Sequence, residues 1–322
     1  AIHQDKYPET PTIPGWLKYP TSLPSAEVFP GHSLQGEPSC ITMAFMIQLI
    51  INADDLGINP ERDRGIIEAF EHGIVTSATM IANGLSFSSA AAHAFSVGLP
   101  VGIHLNLSDG TTLSGPIVGL TDQDNRLPGK RQLRRYLLGE RQDLAGIRRE
   151  LSAQIDKVMA TGLKPGHIDG HQHCHGYPSL IGMVIELAGE YGLDAMRSCL
   201  PADPPDAEIP AELVEDLALF RSFGQTARTL ICGSGIRAPD GLWGLPQLHS
   251  LDTASLCTLL EKLPEGCWEL MTHPGRPCPR GRPFEGAQRL TEMRALCSAA
   301  AKDVICRRDI SLCTFGDLPC AS

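Results

Sequence analysis

Four of the chain's 11 histidines fall within nine residues, in the run His-Ile-Asp-Gly-His-Gln-His-Cys-His from His167 to His175. On an extended chain, residues two apart share a face. The spacing therefore predicts that the imidazoles of His167, His171, His173 and His175 point the same way, with Asp169 among them. Imidazoles and carboxylates together bind borderline divalent metals such as zinc, manganese or cobalt. Cys174 lies in the same run, but its direction opposes that of His173 and His175, which sets it aside as a ligand. A merely His-rich surface loop is the plainer reading, and the density of imidazoles argues against it.

Three other segments carry similar chemistry. Asp54 and Asp55 stand together after an apolar run and before Gly57. Neighbouring carboxylates repel, so their roles should separate, one binding the metal and the other acting as general base. An acid-rich helix start would look the same. His104 sits between Ile103 and Leu105. Taken alone it reads as a core histidine, and only the other segments make it a ligand. His273, in Thr-His-Pro-Gly, is a candidate general acid.

These residues need elements to position them. Ile47, Leu49, Ile50 and Ile51 form a short apolar run ending at Asn52, which suits a buried parallel strand. Asn59 and Pro60 read as the N-cap and first residue of a helix reaching about Glu71. Further strands are predicted over 77–82, 101–107, 166–170, 195–199, 269–272 and 310–314, with helices over 86–97, 143–160, 177–191 and 286–300. Residues 108–130 lack periodicity and read as a lid or substrate wall. The Pro- and Gly-rich stretch 201–245 resists assignment. Strand and helix alternate, the pattern of a parallel α/β fold. About seven strands favour a (β/α) barrel over an open sheet. The acids and imidazoles follow strand ends, which converge on one face in such folds.

Seven prolines between Pro8 and Pro38 separate residues 1–45 from the rest. They predict an extended or disordered arm, with Trp16, Leu17 and Tyr19 as anchors, ahead of a single barrel domain over 46–322.

The bulk numbers narrow the function. Apolar residues make up 42% and charged residues 20% of the 322, an ordinary globular balance. The net charge of −10 argues against nucleic-acid binding and suits a neutral or cationic substrate. No apolar run approaches the roughly 18 residues of a membrane span. Eleven cysteines, an odd number without a Cys-x-x-Cys pair, favour reduced thiols and a cytoplasmic setting.

Four segments then carry a family resemblance: Ile-Asn-Ala-Asp-Asp-Leu-Gly at 51–57, Gly-Ile-His-Leu-Asn-Leu at 102–107, the His-rich run at 167–175, and Met-Thr-His-Pro-Gly at 271–275. In this order they resemble the YdjC-like carbohydrate deacetylases, which include chito-oligosaccharide deacetylases. Gly-Ile-Val-Thr-Ser-Ala-Thr at 73–79 and Asn83-Gly84 also look like the family. The resemblance implies a barrel of the glycoside hydrolase/deacetylase type. It implies one divalent metal, magnesium or zinc with manganese or cobalt as alternatives, held by Asp55, His104 and His171. Asp54 would be the base and His273 the acid, with His173, His175, Asp169 and Arg197 orienting them or meeting substrate. The expected substrate is an N-acetylated sugar or oligosaccharide, and self-association into a homodimer is open to such a barrel. Leu56 departs from the Phe common in the family, and residues 1–45 and 201–245 match poorly. A metal-dependent phosphoesterase and an inactive carbohydrate-binding barrel are the rival readings.

Overall fold

The computed structural model describes residues 46–204, 207, 209–278 and 283–319, so the arm expected over 1–45 lies outside the described residues. In chain order the elements are β1 (Ile47–Leu56), α1 (Pro60–His72), β2 (Ser77–Met80), α2 (Phe87–Val97), β3 (Val101–Leu105), α3 (Lys130–Leu138), α4 (Leu144–Met159) and β4 (Ile168–Gly170). They continue with α5 (Ile181–Glu190), α6 (Val214–Gly233), β5 (Gly241–Trp243), α7 (Thr253–Lys262), β6 (Gly266–Thr272), α8 (Ala287–Leu296), α9 (Ala299–Arg307) and β7 (Ile310–Cys313).

All seven strands belong to one sheet, in the order β4-β3-β2-β1-β6-β5, with β7 also on β1. Every pairing is parallel. β1 is the axis of the fold. β7 pairs with its first half, from Ile47 to Ile50, and β2 with its second, from Asn52 to Leu56. β6 runs along its other edge from Ile47 to Ala53. The segment after β4 links the two edge strands. Arg197 N–H donates to Ile168 O of β4, and Ala202 N–H donates to Leu242 O of β5. The curled sheet thus becomes a barrel with an irregular seam.

The seam corrects one expectation. Residues 195–199 make only single bridges, Met196 to Ile168 and Ala195 to Arg237. The segment changes partners within a few residues, and Pro201 lacks the N–H that a continuing ladder needs. The fifth strand is instead β5, inside the stretch that resisted assignment, which also contains the 20-residue α6. The helix expected over 286–300 is two helices. Ser298 interrupts it and caps α9 by accepting from Ala301 N–H.

Strand alternation sorts the core. Leu49, Ile51 and Ala53 of β1 join the large cluster shared with the helices, whereas Ile50 joins Ala195, Cys267, Cys313, Phe315 and Leu318. Each buried Leu or Ile among these stabilises the fold by about 1.5–3 kcal/mol. Asn52 and Asp54 follow Ile50 on the same face, so the inner side of the sheet turns from apolar to polar toward the strand ends. His167 stacks on Phe315 at 3.6 Å between centroids. Gly102 makes room for it, since a Cβ there would sit 2.3 Å from the His167 ring. Burial pushes His167 down to about 3, so it is neutral. Among the described residues all nine cysteines are free, and no helix is long and apolar enough to cross a membrane.

Candidate active site

β1 delivers two adjacent acids to one place. Strand alternation alone would send Asp54 inward and Asp55 outward. The register of β1 against β2 shifts between Ala53 and Leu56, and Asp55 takes a positive φ of 72°. That left-handed turn swings Asp55 toward the inner face, at a backbone cost of about 1–3 kcal/mol. Gly57 N–H then donates to Asp63 Oδ1 at 2.6 Å, and Asn59 caps α1 by accepting from Arg62 N–H.

Asp55, His104 and His171 meet there. Each offers a ligand atom within 4.8 Å of the others. His171 Nδ1 lies 2.8 Å and His104 Nε2 3.4 Å from Asp55 Oδ1. Yet Asp55 Oδ1 is buried and accepts no hydrogen bond of proper geometry. Two nitrogens crowding an otherwise unsatisfied carboxylate oxygen fit a shared cation better than a hydrogen-bonded triad. His104 Nδ1 stands 2.6 Å from Asp169 Oδ1. An ionised carboxylate only accepts, so the proton sits on Nδ1 and Nε2 faces the cation position, the carboxylate–histidine pairing typical of metal ligands. Burial works against a charged His104, but Asp169 and Asp54 outweigh it and hold the imidazole up at about 10. The pocket therefore favours positive charge, and a cation held at Nε2 would displace the second proton of the charged ring while Nδ1–H stays on Asp169. For Asp55, burial opposes ionisation, and His171, His104 and Arg62 overcome it, keeping the carboxyl well below the usual range.

Asp54 lies beside this trio. Its Oδ2 is 4.0 Å from His104 Nε2 and 3.9 Å from His273 Nε2. Arg197 donates to both of its oxygens, at 2.6 and 2.7 Å. The same guanidinium reaches Asp169 Oδ2 at 2.9 Å and Glu269 Oε1 at 2.6 Å. Burial alone would raise the Asp54 carboxyl, but the Arg197 fork more than reverses it, so Asp54 is ionised at any working pH. Burial pushes Glu269 up to about 7 despite Arg197. Asn52 and Thr79 complete the floor: Asn52 Nδ2 donates to Asp54 Oδ1 at 2.8 Å, and Thr79 Oγ1 to Asp169 Oδ2 at 3.2 Å.

The His-rich run does not stay extended. β4 ends at Gly170, and residues 171–176 form a 3₁₀ turn in which Gln172 and His173 take positive φ. Alternation fails there, and the imidazoles diverge. His171 joins Asp55. His173 packs edge-to-face on Phe220 of α6 at 4.7 Å, and its Nδ1 is buried without a hydrogen-bond partner. His175 Nε2 lies 3.3 Å from Arg197 O and 3.2 Å from Cys199 Sγ. Cys174 Sγ points to Leu105 O, and burial raises its thiol to about 12, so it supplies no thiolate.

The loop read as a lid is tied down. Glu150 of α4 accepts from Leu113 N–H, Ser114 N–H and Ser114 Oγ, while Gln154 bonds both N–H and C=O of Asn106. Residues 108–129 are a fixed wall over the end of β3.

A profile of the YdjC-like protein family matches residues 48–307. The chain belongs to the YdjC-like family. Relatives of this YdjC-like chain include a mouse protein named carbohydrate deacetylase, 32% identical, with 86% of this chain and 96% of that one covered. A protein of the same name from Brevibacillus brevis is 30% identical, over 84% of this chain and 100% of the other. A crystal structure from Enterococcus faecalis V583 superposes with a TM-score of 0.64 at 27% identity, covering 84% of this chain and 98% of that one. The site of the YdjC-like chain also uses residues that motif reading passed over. Arg62 reaches Asp55 Oδ2 at 3.3 Å from α1, which comes close because Gly65 packs on Gly275. Glu269 was visible only as an acid inside an apolar strand.

Arg62 fixes which Asp55 oxygen faces the two imidazoles. Arg62→Met should weaken divalent-metal affinity by about 10–100-fold, the usual effect of losing a partner behind a ligand. Titration calorimetry with zinc on the metal-free protein reads this directly, and unchanged affinity would remove Arg62 from the site.

Proposed function

We propose that this YdjC-like chain is a metal-dependent N-deacetylase that removes the acetyl group from an N-acetylated amino sugar or chito-oligosaccharide. One observation carries the reading: Asp55, His104 and His171, from three separate strand ends, converge on one point, with Asp54 and His273 at its edge. The names of the relatives supply the substrate class.

Asp55, His104 and His171 would hold the cation, which supplies Lewis acidity and a water that ionises near neutral pH. Asp54, always ionised, accepts the proton of the attacking water. Arg197 keeps that carboxylate aimed and lowers its basicity, which suits a water already made acidic. Burial pushes His273 down to about 3, so its imidazole is neutral at rest. It therefore has to gain the proton it later donates. Asp54, once it has taken the water's proton, is the source, and the 3.9 Å between its Oδ2 and His273 Nε2 leaves the proton to pass through one bridging water or substrate atom. His273 then protonates the departing amine, and the products are acetate and a free amino sugar.

The second trio of acid and imidazole atoms, from Asp54, His104 and Asp169, argues against a two-metal phosphoesterase, because Arg197 already occupies it. The decisive experiment is acetate release from N-acetylated chito-oligosaccharides, with and without a chelator, beside a panel of phosphate esters. Release that stops on chelation and returns with added metal is expected. Hydrolysis of the esters alone, or sugar binding without acetate, would replace this reading with one of its rivals.

A further inference from the structure

A proton donor must be held in place to work, and His273 stands outside the regular elements. His273 directly follows β6, at the start of an irregular segment, where backbone freedom is normally larger than in a strand. Here both of its backbone polar groups are taken by α8. Its N–H donates to Glu292 Oε1 at 2.7 Å, and its C=O accepts from Arg289 Nη1 at 3.2 Å. Two residues on, Gly275 N–H donates to Arg289 O at 3.1 Å. Glu292 and Arg289 are an i, i+3 pair on α8, joined at 2.7 Å and only 2% and 1% exposed. Arg289 is anchored further by donating to Leu248 O at 2.6 Å.

The ring is held as well. Phe284 meets the His273 imidazole edge-to-face, with centroids 5.2 Å apart. Phe284 is itself held by two guanidiniums, Arg289 at 4.4 Å and Arg62 at 5.2 Å from its centroid. A buried ion pair is weak evidence of stabilisation, since apolar residues of similar volume often do as well. What the Glu292–Arg289 pair supplies that apolar residues cannot is an acceptor for one backbone group of His273 and a donor for the other.

We propose that Glu292, with Arg289, is a positioning residue for His273, fixing the backbone from which the imidazole reaches Asp54. This rests on the proposed deacetylase reading. Neither residue touches the reacting atoms. They act through His273, whose misplacement by about 1 Å would cost on the order of a hundredfold in rate.

The test is a mutant cycle on the metal-loaded protein, assayed by acetate release. Glu292→Ala should lower kcat by about 10–100-fold, with KM within twofold and one metal per chain retained. In a His273→Ala background the same substitution should cost nothing further, because the group it positions is gone. Glu292→Gln keeps volume and an acceptor, and should lose less kcat than Glu292→Ala. It also serves if the alanine variant does not fold. Additive losses in the cycle, a rise in KM instead of a fall in kcat, or loss of metal would each overturn the inference. If His273→Ala is slow while Glu292→Ala and Glu292→Gln are not, the failure lies here alone. If His273→Ala keeps full activity, the failure lies in the acid assignment beneath it.

Discussion

Asp54→Asn is expected to lower kcat by about 10²–10⁴-fold while one equivalent of metal stays bound. The amide cannot take a proton from water, but it is nearly isosteric, and none of the three proposed ligands is changed. Asn52 can still donate to its carbonyl oxygen. Arg197 would lose half of its fork on this residue and keep Asp169 and Glu269. The loss should also be flat with pH. Arg197 keeps the Asp54 carboxyl ionised far below neutrality, so the parent rate carries no Asp54 titration between about pH 5 and 8. The measurement pairs elemental analysis with kcat across that range. Full turnover would take the base role from Asp54. Lost metal would instead make it a ligand.

The largest expected effect on stability comes from Arg197→Met. One fully buried guanidinium answers three buried carboxylates, from Asp54, Asp169 and Glu269. Removing one partner of a buried pair costs about 3–5 kcal/mol, because the charge left behind is unpaired. Part of that would be relieved by proton uptake. Glu269 already sits near 7, and without Arg197 burial would drive Asp54 upward too. A carboxyl that titrates one pH unit higher in the folded chain differs by about 1.4 kcal/mol in the balance between its two protonation states. The sign follows from linkage: carboxyls raised above their unfolded values favour the folded state at low pH and lose that advantage as pH rises through the folded value. The variant should therefore be weakest at alkaline pH. For a domain of this size the melting temperature should fall by roughly 6–20 °C near neutrality. Arg197→Lys should not rescue it, since one ammonium cannot fork to three acids. A melting temperature within a degree of the parent would mean that the three carboxylates tolerate one another without Arg197.

Several of these features were legible in the chain itself. Apolar runs and helical spacing marked β1, β2, β3, β6, β7 and α4, because buried faces follow the period of the local backbone. The acids and imidazoles at strand ends marked one face. α6 was legible in principle, since Leu217, Phe220, Gly224, Ala227 and Ile231 recur at helical spacing and are buried. The surrounding prolines and glycines hid it, and Gly224 in fact lets the helix approach Leu200. β5, with three residues, is too short to show a period.

The order of residue types along the chain was enough for the alternating parallel fold and for which polar side chains stand at the ends of its strands, because both are written in patterns a few residues long. It did not decide the directions or partners of those side chains. The reversal of Asp55 depends on a register shift against β2, and the spreading of His171, His173 and His175 on a 3₁₀ turn. Arg197 finds Asp54 across 143 residues, and His273 finds Glu292 on a helix packed against its turn. Buried charges take their energies from whatever the folded chain brings within a few ångströms, and only the tertiary structure sets those distances.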